Sequence, residues 1–170
     1  MPISMHSASV PLFNRQLGAM LAWLDKAEAH ATARQFDTAN YLQLRLAPDM
    51  LPFVAQIRIA SDAAKGCVAR LAGQEPPKFD DNEASLGDLR ARIQKTLDYV
   101  NSVPAEAFAG SEERDIVIPM RAPREPARMQ GQFFLQHWAL PNFFFHVTTA
   151  YALLRHAGVP LGKGDYLAVA

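Results

Sequence analysis

The polar residues best suited to chemistry lie on one face of an apolar helix predicted near the C-terminus. Asn142, His146 and Thr149 follow one another at spacings of four and three residues, which places their side chains on one side of a helix. An imidazole can act as a general base or bind a metal ion, and an amide one turn away could orient a ligand. The pattern equally fits a buried histidine that hydrogen-bonds to a neighbouring helix, with Asn142 as a polar residue at the helix start.

A second polar side chain, Gln56, interrupts a face of small and apolar residues on another predicted helix. That face also carries Ala60, Ala63 and Cys67, whose small side chains leave space beside a buried amide. The space indicates either a pocket or an interhelical hydrogen bond from Gln56. The opposite face of this helix carries charged side chains that we expect to be solvated: Arg58, Asp62 and Lys65.

His6 is a further candidate, at the beginning of the first predicted helix. It shares the helical spacing of Val10, Phe13 and Leu17, so its ring can point inward near one end of the bundle. A lone histidine at this place either contacts a ligand or is a structural residue, in the core or at a helix cap, whose hydrogen bonds are satisfied within the protein.

The chain lacks the sequence features that are typical of several classes of protein. Its 170 residues include 17 basic and 17 acidic side chains, and a net charge of zero does not favour nucleic-acid binding, which needs a basic surface. Cys67 is the single cysteine, so an internal disulfide is impossible, and a thiol on a buried face is usually inert. We expect no membrane span, no signal peptide and a cytoplasmic location.

The apolar periodicity predicts four long helices within one domain, residues 1–170. Gly73 suits the end of the second helix, and Ser85 with Asp88 approximates a capping box at the start of the third. A short helix is expected near residues 38–44. The first three long helices are predicted at Ser4–His30, with Pro11 inside it or near its start, at Ala47–Ala72 and at Ser85–Val103.

The helical pattern is interrupted between the third and the last long helix. Asp115–Pro119 alternates like a strand and can pair with Ala127–Gln130 as a hairpin. Helix then resumes over Gln132–His156, with a break or kink at Pro141, and the tail from Leu161 has no strong periodicity. These elements predict an all-α four-helix bundle with a small β-hairpin or irregular insertion between helices 3 and 4.

A family resemblance rests mainly on a C-terminal motif, LPNFFFHVTTAY at Leu140–Tyr151 followed by LLRHAGVPLGK at Leu153–Lys163. The motif resembles a bacterial family of unknown function in the DinB/YfiT-like superfamily, and SMHSASVP, RLAPDM and the stretch Gln56–Gly73 extend the likeness over most of the chain. The resemblance implies an up-down-down-up four-helix bundle that is often a dimer. Many superfamily members bind a divalent metal through three histidines, and some are metal-dependent thiol S-transferases.

The histidine pattern of the superfamily is kept only in part. His146 falls at the second of two paired positions on the last helix, and Asn142 falls at the first. The second helix has no histidine, and an amide is a weak ligand for zinc or nickel. The resemblance therefore implies a degenerate metal site. We expect no resident cofactor, with zinc or nickel at His146 as the alternative.

The leading hypothesis is a DinB-like bundle that binds a small molecule in a pocket between its second and fourth long helices. The candidate lining residues are Gln56, Asn142, His146, Thr149 and His6. One alternative is a metal-dependent transferase or hydrolase that uses His146. Another is a non-catalytic homodimer that pairs through the aromatic cluster around Phe143–Phe145, with Trp138 and Tyr151.

Overall fold

The first helix begins and ends later than its periodicity predicts. In the computed structural model, which describes residues 3–120 and 122–169, α1 runs from Val10 to Arg34. The preceding residues form turns, in which the Ser9 hydroxyl donates to the Met5 carbonyl oxygen at 2.7 Å. Pro11 lies in the first helical turn, where its missing N–H is not needed, so it marks the start of α1.

The second long helix, α3, runs from Phe53 to Leu71 and follows the short helix α2, Ala39–Leu42. It starts later than predicted because Pro52 is extended, with ψ 167°, and the N–H of Phe53 donates to the Leu44 carbonyl oxygen at 2.8 Å. Residues 47–52 therefore connect the two helices and do not form the first turn of α3.

Gly73 ends α3, as the sequence predicts. Its φ of +71° lies in the left-handed region that favours glycine, and the N–H of Gln74 reaches back to the Ala69 carbonyl oxygen at 2.8 Å. This bond satisfies a carbonyl group that the end of a helix otherwise leaves without a partner.

The third long helix, α4, runs from Leu86 to Ser102 and begins at its predicted cap. The Ser85 hydroxyl accepts the N–H of Asp88 at 3.0 Å, and the Asp88 carboxylate accepts the N–H of Ala84 at 3.0 Å. These reciprocal bonds satisfy donors that a helix N-terminus leaves free. Pro104 follows shortly after the end of α4, where a regular helix cannot continue.

The predicted hairpin is confirmed. Strand β1, Asp115–Ile118, pairs antiparallel with β2, Ala127–Gln130, so that Ile116 faces Met129. Ile116 is buried whereas its neighbours on both sides are exposed, so β1 packs one side chain into the domain. The hairpin is thus a surface insertion, held by its buried face.

The last long helix continues through Pro141 but contains a wider turn just before it. Helix α5, Gly131–Phe134, leads into a π turn, Leu135–Ala139, and then into α6, Leu140–His156. A proline donates no N–H to the preceding turn, and its ring crowds the carbonyl there. A π turn changes the hydrogen-bonding pattern at this place, so the predicted interruption takes the form of one wide turn.

The direction of α6 relative to α1 follows from two aromatic contacts. Phe13 packs against Phe143 with ring centroids 4.9 Å apart, and Trp23, further along α1, packs against Tyr151, further along α6, at 5.5 Å. The two helices are therefore parallel.

Polar contacts show that α4 runs opposite to α1. The Asn14 amide, near the start of α1, donates to Asn101, near the end of α4, at 2.7 Å. Arg90, near the start of α4, bonds to Asp25, later in α1, at 2.9 Å.

Helices α3 and α4 are parallel to each other. Asp62 in α3 bonds to Arg92 in α4 at 2.9 Å, and Gln74, just beyond the end of α3, accepts the Tyr99 hydroxyl at 3.1 Å. With α1 and α6 parallel and α4 opposed to them, the bundle has the predicted up-down-down-up arrangement. Residues 72–85 must therefore run back along the bundle to join α3 to α4.

A buried guanidinium ties this crossover loop to both helices. Arg92, 4% exposed, bonds to the carboxylates of Glu83 at 2.7 Å and Asp62 at 2.9 Å, and Glu83 also bonds to Arg58 at 2.5 Å. Lys65 pairs with Asp62 at 2.9 Å and is itself only 6% exposed. The expectation of solvation is wrong for Lys65, whose ammonium group lies over an aromatic ring of the crossover loop. The side chains of Arg58 and Asp62 are only partly buried, with 21% and 42% exposed.

The tail forms a short helix that the sequence pattern did not predict. Helix α7, Lys163–Leu167, packs against α1, where the Trp23 indole N–H donates to the Asp165 carbonyl oxygen at 3.1 Å. The Lys26 ammonium group pairs with the Asp165 carboxylate at 2.5 Å. Within the described ranges, no helix is both long and apolar enough to cross a membrane.

Gly131, at the start of α5, gives a test of the close packing beside the hairpin. A Cβ atom added there would lie 1.8 Å from the Ser111 carbonyl oxygen, a backbone atom that cannot turn aside. We expect Gly131→Ala to lower the free energy of unfolding by about 3 kcal/mol, measured by denaturant titration.

Gly18→Ala is the matched control, because Gly18 is exposed in α1 and a Cβ atom there meets nothing within 4 Å. It should raise the free energy of unfolding by about 1 kcal/mol, through helix propensity alone. Similar effects of the two substitutions would contradict the close approach at Gly131.

Candidate functional site

His146 and Gln56 meet across the interface of α3 and α6. The Nδ1 atom of His146 lies 2.7 Å from the Gln56 side-chain oxygen Oε1. The Gln56 amide nitrogen donates to the Leu51 carbonyl oxygen at 2.9 Å, which fixes the orientation of the amide, because a carbonyl can only accept. Oε1 must therefore accept from His146, and the imidazole carries its proton on Nδ1.

This arrangement leaves Nε2 of His146 as the free nitrogen of the ring. Burial lowers the pKa of His146, so the ring is neutral at pH 7 and Nε2 carries a lone pair. Within residues 3–120 and 122–169, Nε2 makes no hydrogen bond, and it is not among the buried side-chain atoms that lack a partner. It is thus an acceptor that water or a ligand can reach.

The other three predicted site residues do not join this pair. The Thr149 hydroxyl donates to the Phe145 carbonyl oxygen of its own helix at 2.7 Å, which is a local bond. His6 is half-buried and packs edge-on against Phe108, with ring centroids 5.2 Å apart. Asn142 is exposed, one turn before His146, and lines a cavity instead.

That cavity, which we call the π-turn cavity, has a volume of about 160 Å³. Helix α3 contributes Ala63, Cys67 and Arg70 to its walls, the π turn contributes Trp138, and α6 contributes Asn142. Neither Gln56 nor His146 lines it. The cavity between α3 and the helical segment that contains the π turn is therefore separate from the polar pair.

The sequence indicated only part of this lining. The small-residue face of α3 predicted space beside Ala63 and Cys67, and Asn142 was a candidate on α6. Trp138 and Arg70 were missed as lining residues, because apolar periodicity does not show that residues Leu135–Ala139 form a π turn. Proline at 141 is the one feature that could have drawn attention to the preceding turn.

Cys67 is a wall of the cavity and does not have the properties of a nucleophile. It is 1% exposed, and burial raises the pKa of its thiol more than the nearby charge of Arg70 lowers it. The thiol is therefore protonated at neutral pH, and the expectation that it is inert agrees with its environment.

The residues around His146 do not fit a zinc or nickel ion. Within the described ranges, no group of three or more His, Cys, Asp or Glu side chains could hold a metal. The neighbours of His146 on both helices, Gln56 and Asn142, offer amides, which these metals bind poorly in comparison with imidazole and thiolate. Gln56 is moreover committed to bonds with His146 and with the Leu51 backbone.

Comparisons with known proteins place the chain among related bundles. Residues 5–167 match the family described as a domain of unknown function, DUF1993. A crystal structure of a DinB family member protein from Shewanella denitrificans is 39% identical and superposes with a TM-score of 0.88, covering 96% of this chain and 91% of that one. No curated protein matches the chain. The resemblance that rests on the C-terminal motif is thereby confirmed.

The buried state of His146 predicts how stability depends on pH. In the unfolded chain the pKa of His146 is about 6.5, and burial lowers this pKa in the folded chain. At a pH between the two pKa values, only the unfolded chain binds the proton. Stability therefore falls as the pH drops below about 6.5, by at most about 1.4 kcal/mol per pH unit.

His146→Gln keeps an N–H donor for Gln56 but has no side chain that titrates at this position. A comparison with this variant therefore isolates the effect of His146 protonation on stability. We expect the free energy of unfolding of the wild type to fall relative to that of His146→Gln when the pH is lowered from about 7.5 to about 5, as measured by urea titration. A difference that stays constant over this range would mean that His146 is not buried as a neutral ring.

Proposed function

The chain belongs to the DUF1993 family, a DinB-like domain of unknown function, and from this premise we propose that it binds a small molecule in the π-turn cavity. The observation that carries the proposal is the cavity itself, of about 160 Å³, between α3 and the π turn. The cavity is a cleft that is partly open to solvent, so a small ligand can enter it.

The π turn supports this placement. Such turns disturb the regular bonding of a helix and occur frequently at functional sites. Here Trp138 and Ala139 belong to the π turn and both line the cavity. The turn therefore shapes one wall of the proposed site.

The chemistry of the walls is that of a ligand pocket. Ala63, Trp138 and the buried thiol of Cys67 are largely apolar, whereas Asn142 and Arg70 offer donors that can orient a ligand. A cavity of about 150 Å³ with apolar walls is known to hold a benzene molecule, so this one suits a ligand of about one ring.

His146 adds a reactive group next to the cavity. Asn142 lies one turn before it on α6, so a ligand that extends from the cavity past Asn142 would approach the free Nε2. The neutral ring could accept a hydrogen bond or a proton from such a ligand. In this proposal the superfamily's metal site is degenerate, and His146 acts through its lone pair.

Filling the cavity tests the proposal. Benzamide and phenol, uncharged single-ring compounds, should raise the melting temperature of the wild type in thermal-shift measurements. At a concentration ten times the dissociation constant, the stabilisation is about 1.4 kcal/mol, or roughly 3–6 °C for a domain of this size. Ala63→Leu places a larger side chain in the cavity and should abolish the shift.

Ala29→Leu makes the same change at an exposed position of α1 and should keep the full response. Responses of equal size in Ala63→Leu and the wild type would place the binding site elsewhere. No response to either compound in the wild type would count against a ring-sized pocket.

A second candidate function, homodimer formation, is favoured by an uncharged helical face. From Gly131 to Leu154 the chain carries no Asp, Glu, Lys or Arg. Phe133 and Phe145 are each 56% exposed on the helical segment that this stretch forms. Protein interfaces are depleted of charge and enriched in aromatic residues, and a face without charge can pair with its own copy without repulsion. Phe143 is not available for this role, because it is fully buried.

Sedimentation measurements test the dimer. We expect the wild type to be a dimer at about 100 µM and Phe145→Glu to weaken association at least tenfold, because two charges would face each other across a twofold axis. Val117→Glu, at an exposed apolar position on β1, is the control and should leave the association unchanged. A monomeric wild type at this concentration would reject the proposal.

A further inference from the structure

Arg70 is a half-buried cation on the wall of the π-turn cavity. Its Nη1 atom donates to the Gly66 carbonyl oxygen of its own helix at 3.0 Å. Within the described part of the chain, Arg70 forms no ion pair. Most of its five N–H donors are therefore available to a ligand.

The neighbouring groups do not neutralise this charge. Asp62, the carboxylate that lines the same cavity, is already bonded to both Lys65 and Arg92 at 2.9 Å. Cys67 is a protonated thiol, because burial raises its pKa. Glu75 is near enough to oppose the effect of burial, which lowers the pKa of Arg70, but it is exposed and does not contact the guanidinium as an ion pair.

Gly66 provides the place where the guanidinium lies. A Cβ atom at Gly66 would sit 2.6 Å from Nη1 of Arg70, well inside contact distance. The absence of a side chain at position 66 thus lets the guanidinium lie against α3, beside the cavity. A half-buried cation that forms no ion pair with the residues described matches a site for a negatively charged group.

We infer that the π-turn cavity takes a monocyclic carboxylate, with its ring between α3 and Trp138 and its carboxylate on Arg70. The inference rests on the proposed function and adds the chemical class of the ligand. A carboxylate matches the planar guanidinium with two parallel hydrogen bonds. The volume of about 160 Å³ accommodates a single ring, and the indole of Trp138 offers it an aromatic wall.

The charge of the lining favours a carboxylate over a phosphate ester. Arg70 is the cation of the lining, since Lys65 and Arg92 pair with Asp62 outside the cavity walls. One cation balances a monoanion, whereas the dianion of a phosphate monoester would leave one charge without compensation. Phenyl phosphate therefore serves as the competing probe in the test.

Calorimetric titration with three matched probes tests this inference. Benzoate, benzamide and phenyl phosphate share one ring and differ in the charged group. We expect the wild type to bind benzoate at least tenfold more tightly than either of the other two. Arg70→Met keeps the aliphatic stem and should remove the preference, so that the variant binds benzoate no more tightly than benzamide.

Two further variants separate charge from placement. Gly66→Ala keeps the charge of Arg70 but forces its guanidinium to move, so benzoate should bind at least threefold more weakly. Because alanine favours a helix, we expect the fold to be retained. Arg155→Met removes an exposed arginine at the far end of α6 and should change nothing. Should Arg70→Met fail to fold, Gly66→Ala still decides.

The outcomes distinguish this inference from the function on which it rests. Equal affinity of the wild type for benzoate and benzamide would overturn the role of Arg70 but leave ring binding intact. A preference for benzoate that survives in both Arg70→Met and Gly66→Ala would also overturn it. Tighter binding of phenyl phosphate than of benzoate would reject the carboxylate. Absence of binding by all three probes would count against both.

Discussion

The parallel alignment of α3 and α4 is the constraint on which the rest of this bundle depends. Two consecutive parallel helices cannot be joined by a tight turn, so residues 72–85 must return along the length of the bundle. Backbone that runs over a helix brings polar groups with it, and these need partners. Arg92 supplies them, since it bonds to the Asp80 carbonyl oxygen as well as to the carboxylates of Glu83 and Asp62. Removal of one member of such a buried group is costly, because the remaining charges stay buried.

With one side of α3 committed to α4 and the crossover loop, its other side is left for α6. That side carries Gln56, Ala63 and Cys67. The polar side chain of Gln56 contacts α6 directly, whereas the small side chains of Ala63 and Cys67 leave space between the helices. Next to Gln56 the helices are joined by the bond to His146. Further along α3, the π turn bulges where Ala63 and Cys67 leave space, and the cavity results. The bond and the cavity are thus successive consequences of one antiparallel interface.

The local features of this fold could be predicted from the sequence, whereas the long-range ones could not. Ser85 with Asp88, and Gly73, act on backbone groups within a few residues, so their residue types are sufficient to locate helix ends. Periodicity likewise predicted the hairpin and the long helices. The burial of Lys65 depends on a loop that is distant in sequence, and its own helix gives no sign of it. Arg70 was not a candidate for the same reason, since only the fold shows that it forms no ion pair within residues 3–120 and 122–169.

The substitutions in the histidine pattern bear on the charge of the site. In a bundle with a bound divalent cation, the interface of α3 and α6 would contain a strong positive centre. Gln56 and Asn142 are neutral, and the tautomer of His146 that Gln56 selects is neutral as well, so these three residues provide hydrogen bonds but no charge. Among the residues that line the cavity, Arg70 then supplies the positive charge. In the proposed site, a ligand would meet one monovalent cation held on a helix, and discrimination would rest on the geometry of a guanidinium and on the size of one ring.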